Sequence, residues 1–209
     1  MINWTFEAGL KTSADIVQVA TDSKKIYNLF SKDNVVMTSS NHHSGTDRVY
    51  EAVLKFNLND DDVIINVQGD EPFINPEDIN NLFDLVSKEE VTMATLYSDL
   101  KSIDELEDLN QVKILVDSGV AVNFFRKASL EDNIFIHQGI YAFKYKVLKS
   151  FVSWKPSENE KKYKLEQFRA LDNGITINAV KSVSKIHLGV DTEDDLKKAN
   201  EIAKKDSYK

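Results

Sequence analysis

The sequence contains no cysteine, and it has only three prolines and seven glycines among its 209 residues. The lack of cysteine excludes a disulfide framework, thiolate chemistry and cysteine-ligated zinc. No apolar run reaches the roughly 18 residues that a membrane-spanning helix needs. Residues 1–13 also lack the basic and then apolar pattern of a secretory signal. We therefore expect a cytoplasmic protein with no membrane partner.

Positive charge is also scarce, because 26 Lys and Arg residues face 34 Asp and Glu residues and give a formal net charge of −8. A nucleic-acid-binding protein usually carries a basic face, so this balance argues against a nucleic-acid partner. A small anionic ligand remains compatible with the composition, because a pocket can be locally basic in an acidic protein. The 42% hydrophobic and 29% charged residues are typical of one globular domain.

What the first half of the sequence does contain is a repeated short apolar run followed by an amphipathic helical segment. The predicted strands of this kind lie in 16–23, 35–40, 61–72 and 91–98. The run VIINV at 63–67 is so continuous that it predicts a strand buried on both faces. Strands that alternate with helices predict right-handed crossovers on a parallel sheet.

After Leu100 the pattern changes. Segment 112–125 predicts two strands joined by a turn at 117–119. The other predicted elements are a strand at 134–144, a long helix around 161–174, a strand at 175–180 and a last helix after 189–195. We therefore predict one α/β domain, 1–209, of three layers. Its mostly parallel sheet would carry an antiparallel insertion at roughly 111–150.

The N-terminal segment, NWTFEAGLKTS, has a helical pattern and no strand before it. In doubly wound folds the first strand lies centrally, and the loop that follows it often cradles a phosphate. We therefore expect a central strand and its loop to be absent from this sequence.

Two acidic residues stand out as candidate metal ligands. Asp70 directly follows the strongest predicted strand, where ligands of open α/β sheets bind, although Gly-Asp is also ordinary turn chemistry. Asp191 precedes a capping box formed by Thr192 and Asp195, which leaves Asp191 without a structural role. Two acids from separate strand ends suit a Mg²⁺ ion that bridges phosphates.

Other polar residues gather in two segments. The segment 44–48, SGTDR, opens a predicted helix and suits an anionic or polar ligand, or it is a capping loop with Thr46 or Asp47 as the cap. The adjacent His42 and His43 suggest a metal site only weakly, because neighbours in a loop do not point to one place. The later candidates, most of which would otherwise be surface or satisfied residues, are Arg126, His137, Tyr141, Lys164, Glu166, Gln167 and Arg169.

Taken together, these motifs resemble one family through essentially the whole chain. The main matching stretches are HHSGTDRVYEAV (42–53), VIINVQGDEPFI (63–74), HQGIYAFK (137–144), KLEQFRALDNGI (164–175) and GVDTEDDL (189–196). In this order they are similar to the 3-deoxy-manno-octulosonate cytidylyltransferases, or CMP-Kdo synthetases. The resemblance implies a nucleotidyltransferase-like (Rossmann-like) fold.

The resemblance also implies a reaction and a set of roles. Such enzymes couple CTP to Kdo, or to its 8-amino analogue, and release CMP-Kdo and pyrophosphate for lipopolysaccharide biosynthesis; they are typically homodimers. The implied catalytic residues are Gln68, Asp70 and Asp191, of which Asp70 and Asp191 would hold Mg²⁺. The implied nucleotide-binding residues are Ser44, Gly45, Thr46, Arg48 and Gln68. The implied sugar-binding residues are Arg126, His137, Tyr141, Glu166 and Gln167.

The sequence departs from the family at its start, since the family's first strand and its basic, triphosphate-binding loop have no counterpart here. We therefore expect an incomplete chain. One alternative is a truncated, non-catalytic relative that keeps the sugar pocket and the dimer face. Another is a sialic-acid cytidylyltransferase, which the motifs KLEQFR and HQGIYAF disfavour.

Overall fold

The computed structural model describes residues 1–129, 133–184 and 186–205. The helices are α1 (Ile2–Leu10), α2 (Lys24–Tyr27), α3 (Gly45–Val53), α4 (Pro76–Val86), α5 (Tyr145–Ser153), α6 (Glu158–Tyr163), α7 (Gln167–Asp172) and α8 (Glu193–Lys205). The strands are β1 (Val19–Thr21), β2 (Val35–Met37), β3 (Val63–Asn66), β4 (Met93–Ser98), β5 (Lys113–Asp117), β6 (Val120–Phe125), β7 (Ile134–Lys144) and β8 (Asn178–Lys181). Within these ranges, no helix has both the length and the apolar character needed to cross a membrane.

The strands form two sheets. β1 and β2 pair in parallel as a small sheet, and the other six strands form a sheet of order β3-β7-β4-β8-β6-β5. β4 pairs with β8 in parallel, and β7 lies antiparallel between β3 and β4, so β3, β4 and β8 run in one direction. The predicted α/β class, with parallel and antiparallel strands, is confirmed.

Helices cover both faces of the six-stranded sheet. On one face, Phe143 of β7 belongs to a buried cluster with Leu148 of α5 and Phe168 of α7. On the other face, Ile140 of β7 packs in a second cluster with Leu82 of α4. Full burial of each such side chain stabilises the fold by about 1.5–3 kcal/mol. The two clusters hold β7 as the rigid centre of the sheet.

The antiparallel hairpin lies where the sequence predicts it. β5 and β6 are joined through Ser118 (φ 49°) and Gly119 (φ 78°), and β7 occupies 134–144 as expected. Two successive residues with positive φ are the requirement of a type I′ hairpin turn, which matches the twist of the strands.

The prediction that 63–67 is buried on both faces is wrong. Val63, Ile64 and Ile65 of β3 are only partly buried, because β3 pairs with β7 on one side and with no described strand on the other. β1 likewise has one unpaired edge among the described residues. The small sheet and the six-stranded sheet are therefore joined through α3, which packs against β1 and β3, and not through strand pairing.

The single long helix predicted around 161–174 is also wrong, because the segment folds into α6 and α7. The break falls at Lys164, which adopts a left-handed conformation with φ 56°. Side-chain contacts between the two short helices favour this arrangement: Ser157 and Asn159 both donate to the carboxylate of Asp172, at 2.5 and 2.8 Å. The predicted stop at Gly174 is confirmed by its φ of 78°.

Candidate functional site

The two candidate metal ligands come from separate segments that meet beyond the end of β3. The backbone N–H of Val190 donates to the carbonyl of Asp70 at 3.0 Å, which joins the segment before α8 to the turn after β3. Burial raises the pKa of Asp70, and the negative charge of Asp191 raises it further. The structure therefore brings the carboxylates of Asp70 and Asp191 within electrostatic reach of each other.

Glu71 is a third acid at this place, and the sequence analysis assigned no role to it. Burial raises the pKa of Glu71 to about 7, with the charges of Asp70 and Asp191 acting in the same direction. A side chain at Gly189 would place its Cβ 3.2 Å from Glu71 Oε1, so the glycine allows the two segments to approach closely. In the sequence, the position of Glu71 next to Asp70 is the sign of a functional role for it. A Glu-Pro pair is equally common in an ordinary turn.

The acidic group fits a divalent cation that is shared with a ligand. In the described part of the chain, no three His, Cys, Asp or Glu side chains are arranged to hold a metal ion by themselves. Mg²⁺ characteristically takes one or two protein carboxylates and completes its octahedron with phosphate oxygens and water. Asp70 and Asp191 could supply such a pair of hard oxygen ligands, because a cation between them would relieve their mutual repulsion.

The first turn of α3 is capped by Ser44, so the predicted caps Thr46 and Asp47 are wrong. The Ser44 hydroxyl accepts the backbone N–H of Asp47 at 3.2 Å and donates to its carboxylate at 3.0 Å. Gly45 follows, and a Cβ there would lie 3.1 Å from Gln68 Nε2. The structure thus places the Gln68 amide directly against the start of α3.

Thr46 is fully buried because it connects this turn to two other elements. Its hydroxyl donates to Glu166 Oε1 at 3.0 Å and accepts the side-chain amide of Asn66 at 3.3 Å. Asn66 is the last residue of β3, and Glu166 immediately precedes α7. The predicted nucleotide side and the predicted sugar side are therefore in direct contact at Thr46.

Arg48 lies on the outer side of the same helix. Its guanidinium donates to the Thr38 hydroxyl at 2.7 Å, to the Ser39 carbonyl at 3.3 Å and to the Asp22 carboxylate at 3.1 Å. These acceptors follow the ends of β2 and β1. Arg48 therefore attaches the small sheet to α3.

Two buried polar atoms at the start of α7, one of them on the residue before it, have no hydrogen-bond partner among the described residues. They are Oε2 of Glu166 and Nε2 of Gln167, and the Gln167 side chain is 2% exposed. Burial raises the pKa of Glu166, and the nearby hydroxyl groups of Ser44 and Thr46 act in the opposite direction. Because buried polar groups are almost always paired, these two atoms are candidates for contacts with a polar ligand or with water.

His137 and Tyr141 share the sheet face that α7 covers. Their rings are 5.5 Å apart, and the Thr95 hydroxyl lies 2.9 Å from His137 Nε2. Burial lowers the pKa of His137 to about 3 and raises that of Tyr141 well above its ordinary value. Both side chains therefore stay neutral near pH 7 and offer hydrogen bonds without charge. Thr95 itself was not predicted, since a threonine within a strand has no distinguishing signal.

Arg126, at the end of β6, reaches the junction of α6 and α7. It donates to the carbonyls of Leu109 and Lys164 at 3.2 and 3.1 Å. Lys113 holds the backbone of Arg126 in place, because its buried ammonium donates to the Arg126 carbonyl at 2.9 Å and to two further carbonyls. The predicted carboxylate-binding arginine therefore contacts a residue only two positions before Glu166, with N–H groups to spare.

The two adjacent histidines do not meet at one site. His42 Nε2 contacts the carboxylate of Glu51, which also accepts the backbone N–H of Ser39, whereas His43 is exposed to a greater extent and has no such contact among the described residues. The first ring is occupied by its contact with Glu51, so the structure gives no support to a histidine metal site.

The candidate site thus lies at the carboxyl end of β3, where a nucleotidyltransferase-like α/β fold binds its ligands. The chain belongs to the cytidylyltransferase family, whose sequence profile matches residues 1–177.

Related proteins are cytidylyltransferases by name. The 3-deoxy-manno-octulosonate cytidylyltransferase of Photobacterium profundum is 34% identical, over 97% of this chain and 88% of the relative. The enzyme of the same name from Haemophilus influenzae is 35% identical, over 99% of this chain and 89% of the relative.

Solved structures of cytidylyltransferases have a fold similar to that of this chain. A CMP:2-keto-3-deoxy-manno-octonic acid synthetase complexed with CTP has a TM-score of 0.87 and 30% identity, and the match covers 97% of this chain and 87% of the other. The 2-C-methyl-D-erythritol 4-phosphate cytidylyltransferase of Francisella tularensis has a TM-score of 0.66 and 19% identity, over 95% of this chain and 86% of the other. The latter likeness concerns the fold alone.

Proposed function

We propose that this protein transfers the cytidylyl group of CTP to Kdo, or to its 8-amino analogue, and releases pyrophosphate. The observation that carries the proposal is the unpartnered pair at α7, Glu166 Oε2 and Gln167 Nε2. It suits a polar, hydroxyl-rich ligand, and Glu166 is hydrogen-bonded to Thr46 on the nucleotide side. Similarity to named Kdo cytidylyltransferases over nearly the whole chain supports the same assignment.

The sugar side suits a sugar acid in both its neutral and its charged parts. His137 and Tyr141 are uncharged near neutral pH, so they suit hydroxyl groups. Gln167 would donate to a hydroxyl oxygen, and Glu166 would accept a hydroxyl proton. Arg126 supplies the positive charge for the sugar carboxylate through its remaining N–H groups.

The nucleotide side would be formed by Ser44, Gly45, Thr46, Arg48 and Gln68. The bare backbone at Gly45 and the adjacent Gln68 amide offer close contacts to a flat base and its ribose. In the transfer step, the sugar hydroxyl oxygen forms a bond to the α-phosphorus of CTP and loses its proton to water, and the bond from that phosphorus to the oxygen bridging to the β-phosphorus breaks. Catalysis of this kind depends mainly on positioning and on stabilisation of charge.

Asp70 and Asp191 would hold the divalent cation that such a reaction uses, and we propose Mg²⁺. The cation would neutralise charge on the α-phosphate and on the departing pyrophosphate. The protein's own contribution is to hold the two carboxylates apart from any basic partner: in the described part of the chain, neither carboxylate forms an ion pair with Lys or Arg.

We further propose that the protein acts in the cytoplasm in lipopolysaccharide biosynthesis, as a homodimer formed through the antiparallel strands. The exposed apolar side chain of Val122 on β6, which is 52% accessible, supports this choice of face. Light scattering at several concentrations will show whether the mass corresponds to one chain or to two.

The test is pyrophosphate release by the purified chain with CTP, Kdo and Mg²⁺, compared with an EDTA control. We expect metal-dependent release, and we expect Asp70→Asn and Asp191→Asn each to lower it at least ~100-fold. Asp194→Asn is the matched control, because this acid is 78% exposed and its ion pair is with Lys197. It should behave like the wild type.

Substrate arms separate the alternatives. Release with Kdo but not with N-acetylneuraminate would support the proposal, and the reverse would favour a sialic-acid enzyme. No release from folded protein that still binds Kdo would show a non-catalytic relative. Arg126→Ala should weaken Kdo binding about 10-fold, and unchanged affinity would contradict the role of Arg126.

A further inference from the structure

Arg169 is among the most deeply buried side chains of the protein, with 2% of its surface exposed. Its guanidinium lies 4.5 Å above the ring centre of Phe151. Two of its nitrogens donate to both carboxylate oxygens of Glu160, at 2.9 and 2.6 Å, and a third donates to Asp47 Oδ1 at 3.2 Å. A buried charge pair is weak evidence for stability, because desolvation offsets its attraction, but its geometry is specific.

The three residues belong to three different helices. Glu160 lies on α6, Arg169 on α7, and Asp47 in the first turn of α3, 122 residues away from Arg169. The planar guanidinium therefore fixes α3 relative to the pair α6 and α7. No sequence pattern indicates the contact with Asp47, since the two positions are distant along the chain.

From Asp47 the connection continues into the proposed nucleotide side. Asp47 uses its other carboxylate oxygen, Oδ2, to accept the hydroxyl of Ser44 at 3.0 Å, and its own N–H donates back to that hydroxyl. The orientation of the turn that contains Ser44 and Gly45 thus depends on the place of the Asp47 carboxylate. Arg169 is the only described cation that pairs with this carboxylate.

The same helix carries the proposed sugar side. Glu166 stands three residues before Arg169, and its Oε1 accepts the hydroxyl of Thr46. α7 and its N-cap residue Glu166 therefore hold the first turn of α3 at two points, Glu166 with Thr46 and Arg169 with Asp47. The first contact uses a group that must also serve a ligand, whereas the second is entirely internal to the protein.

We propose that Arg169 is a positioning residue that sets the separation between the two substrates by fixing α7 to the first turn of α3. This inference rests on the proposed function. When two bound reactants must meet in one geometry, a displacement of about 1 Å lowers the rate roughly 100-fold, even if each reactant is still bound. Loss of the link should therefore lower kcat far more than it changes the binding of CTP alone, because the contacts between Ser44 and Asp47 remain within the turn.

The test variant is Arg169→Lys, which keeps the charge but loses the planar fork. We expect kcat per CTP-binding molecule to fall about 100-fold, while the dissociation constant for CTP, measured by calorimetry, changes less than about 3-fold. Asp47→Asn should cause a similar loss, and the double variant should be no worse than either single variant, since both changes break one link. The calorimetric stoichiometry corrects for any unfolded fraction.

Lys144→Gln is the matched control. This lysine is also buried, and its ammonium donates to the Glu89 carbonyl at 2.9 Å, at the end of β7 away from the site. It should lower the thermal midpoint as Arg169→Lys does and leave kcat per binding molecule unchanged. Equal kcat losses in the two variants would overturn the proposal and leave a purely structural role.

A second readout does not need turnover. Amide hydrogen exchange of residues 46–50 should become about 10-fold faster in Arg169→Lys and stay unchanged in Lys144→Gln, because only the former frees the first turn of α3. Unchanged protection in Arg169→Lys would overturn the link whatever the activity. If exchange differs between the wild type and Arg169→Lys as expected, but the wild type binds neither CTP nor Kdo, the result contradicts the proposed function and not the link.

Discussion

The two sheets of this protein differ in how firmly they hold their shares of the candidate site. In the six-stranded sheet, β7 is paired on both sides and packed on both faces, and it carries His137 and Tyr141. The small sheet consists of two strands of three residues each. It is attached to the nucleotide side through side chains, chiefly the guanidinium of Arg48.

This difference indicates that the proposed sugar side is formed before any ligand arrives, whereas the proposed nucleotide side depends on a few side-chain contacts. Tyr141 is fixed by backbone pairing to Asn66 and Thr95. The turn at Ser44 is fixed by Asp47 and Thr46, each through one contact with α7. A rigid element keeps its groups in place without a bound ligand, and a site built in this way loses less entropy on binding.

The largest expected effect concerns the six-stranded sheet. Ile140→Ala should lower the free energy of unfolding by about 2–5 kcal/mol, because this side chain is fully buried at the centre of the sheet and leaves a cavity when it is shortened. Urea unfolding followed by circular dichroism measures the change. Val19→Ala in β1 is the counterpart and should cost no more than about 2 kcal/mol. Equal losses at the two positions would contradict the comparison.

The elements of the rigid sheet were largely predictable, because local sequence determines them. The hairpin turn needs Ser118 and Gly119 at positive φ, and segment 134–144 is long enough for one strand that pairs with β3, β4 and β5. The reciprocal contacts of Thr192 and Asp195 were predicted for the same reason, since a capping box involves residues only three positions apart.

The arrangement that joins distant segments could not be predicted in this way. The insertion of β7 between β3 and β4 makes Tyr141 the neighbour of Asn66, and no local pattern specifies this pairing. The contact of Arg169 with Asp47 and the effect of Asp191 on the pKa of Glu71 likewise join residues that are distant along the chain. Resemblance to a family named most of the candidate residues, whereas their mutual support depends on tertiary structure.

The second prediction, of intermediate size, concerns the pH dependence of the free energy of unfolding and again the six-stranded sheet. Burial lowers the pKa of His137 from 6.5 to about 3. Between these values the unfolded chain binds a proton that the folded protein does not, so stability is complete above pH 6.5 and falls as the pH drops toward 3. The expected loss is up to about 1 kcal/mol per pH unit. His137→Gln removes this dependence and keeps an N–H group for Thr95.

Urea unfolding of both proteins at pH 8, 6 and 5 measures the effect. The difference between wild type and His137→Gln should be constant above pH 7 and should shift in favour of the variant as the pH falls. A difference that is the same at pH 5 and at pH 8 would mean that His137 binds its proton freely in the folded protein, so that the sugar side is open to water.

The smallest expected effect lies on the small sheet. Asp22→Asn removes the partner of one Arg48 nitrogen at 3.1 Å, and this carboxylate is 38% exposed. A screened pair of this kind contributes less than about 1 kcal/mol, so the free energy of unfolding should hardly change. The affinity for CTP should rise about 2-fold, because the guanidinium loses a competing anion. Asp33→Asn, an exposed acid outside this contact, should leave CTP affinity unchanged. If Asp22→Asn also leaves it unchanged, Arg48 only attaches the small sheet to α3, and the nucleotide side must take its positive charge from elsewhere.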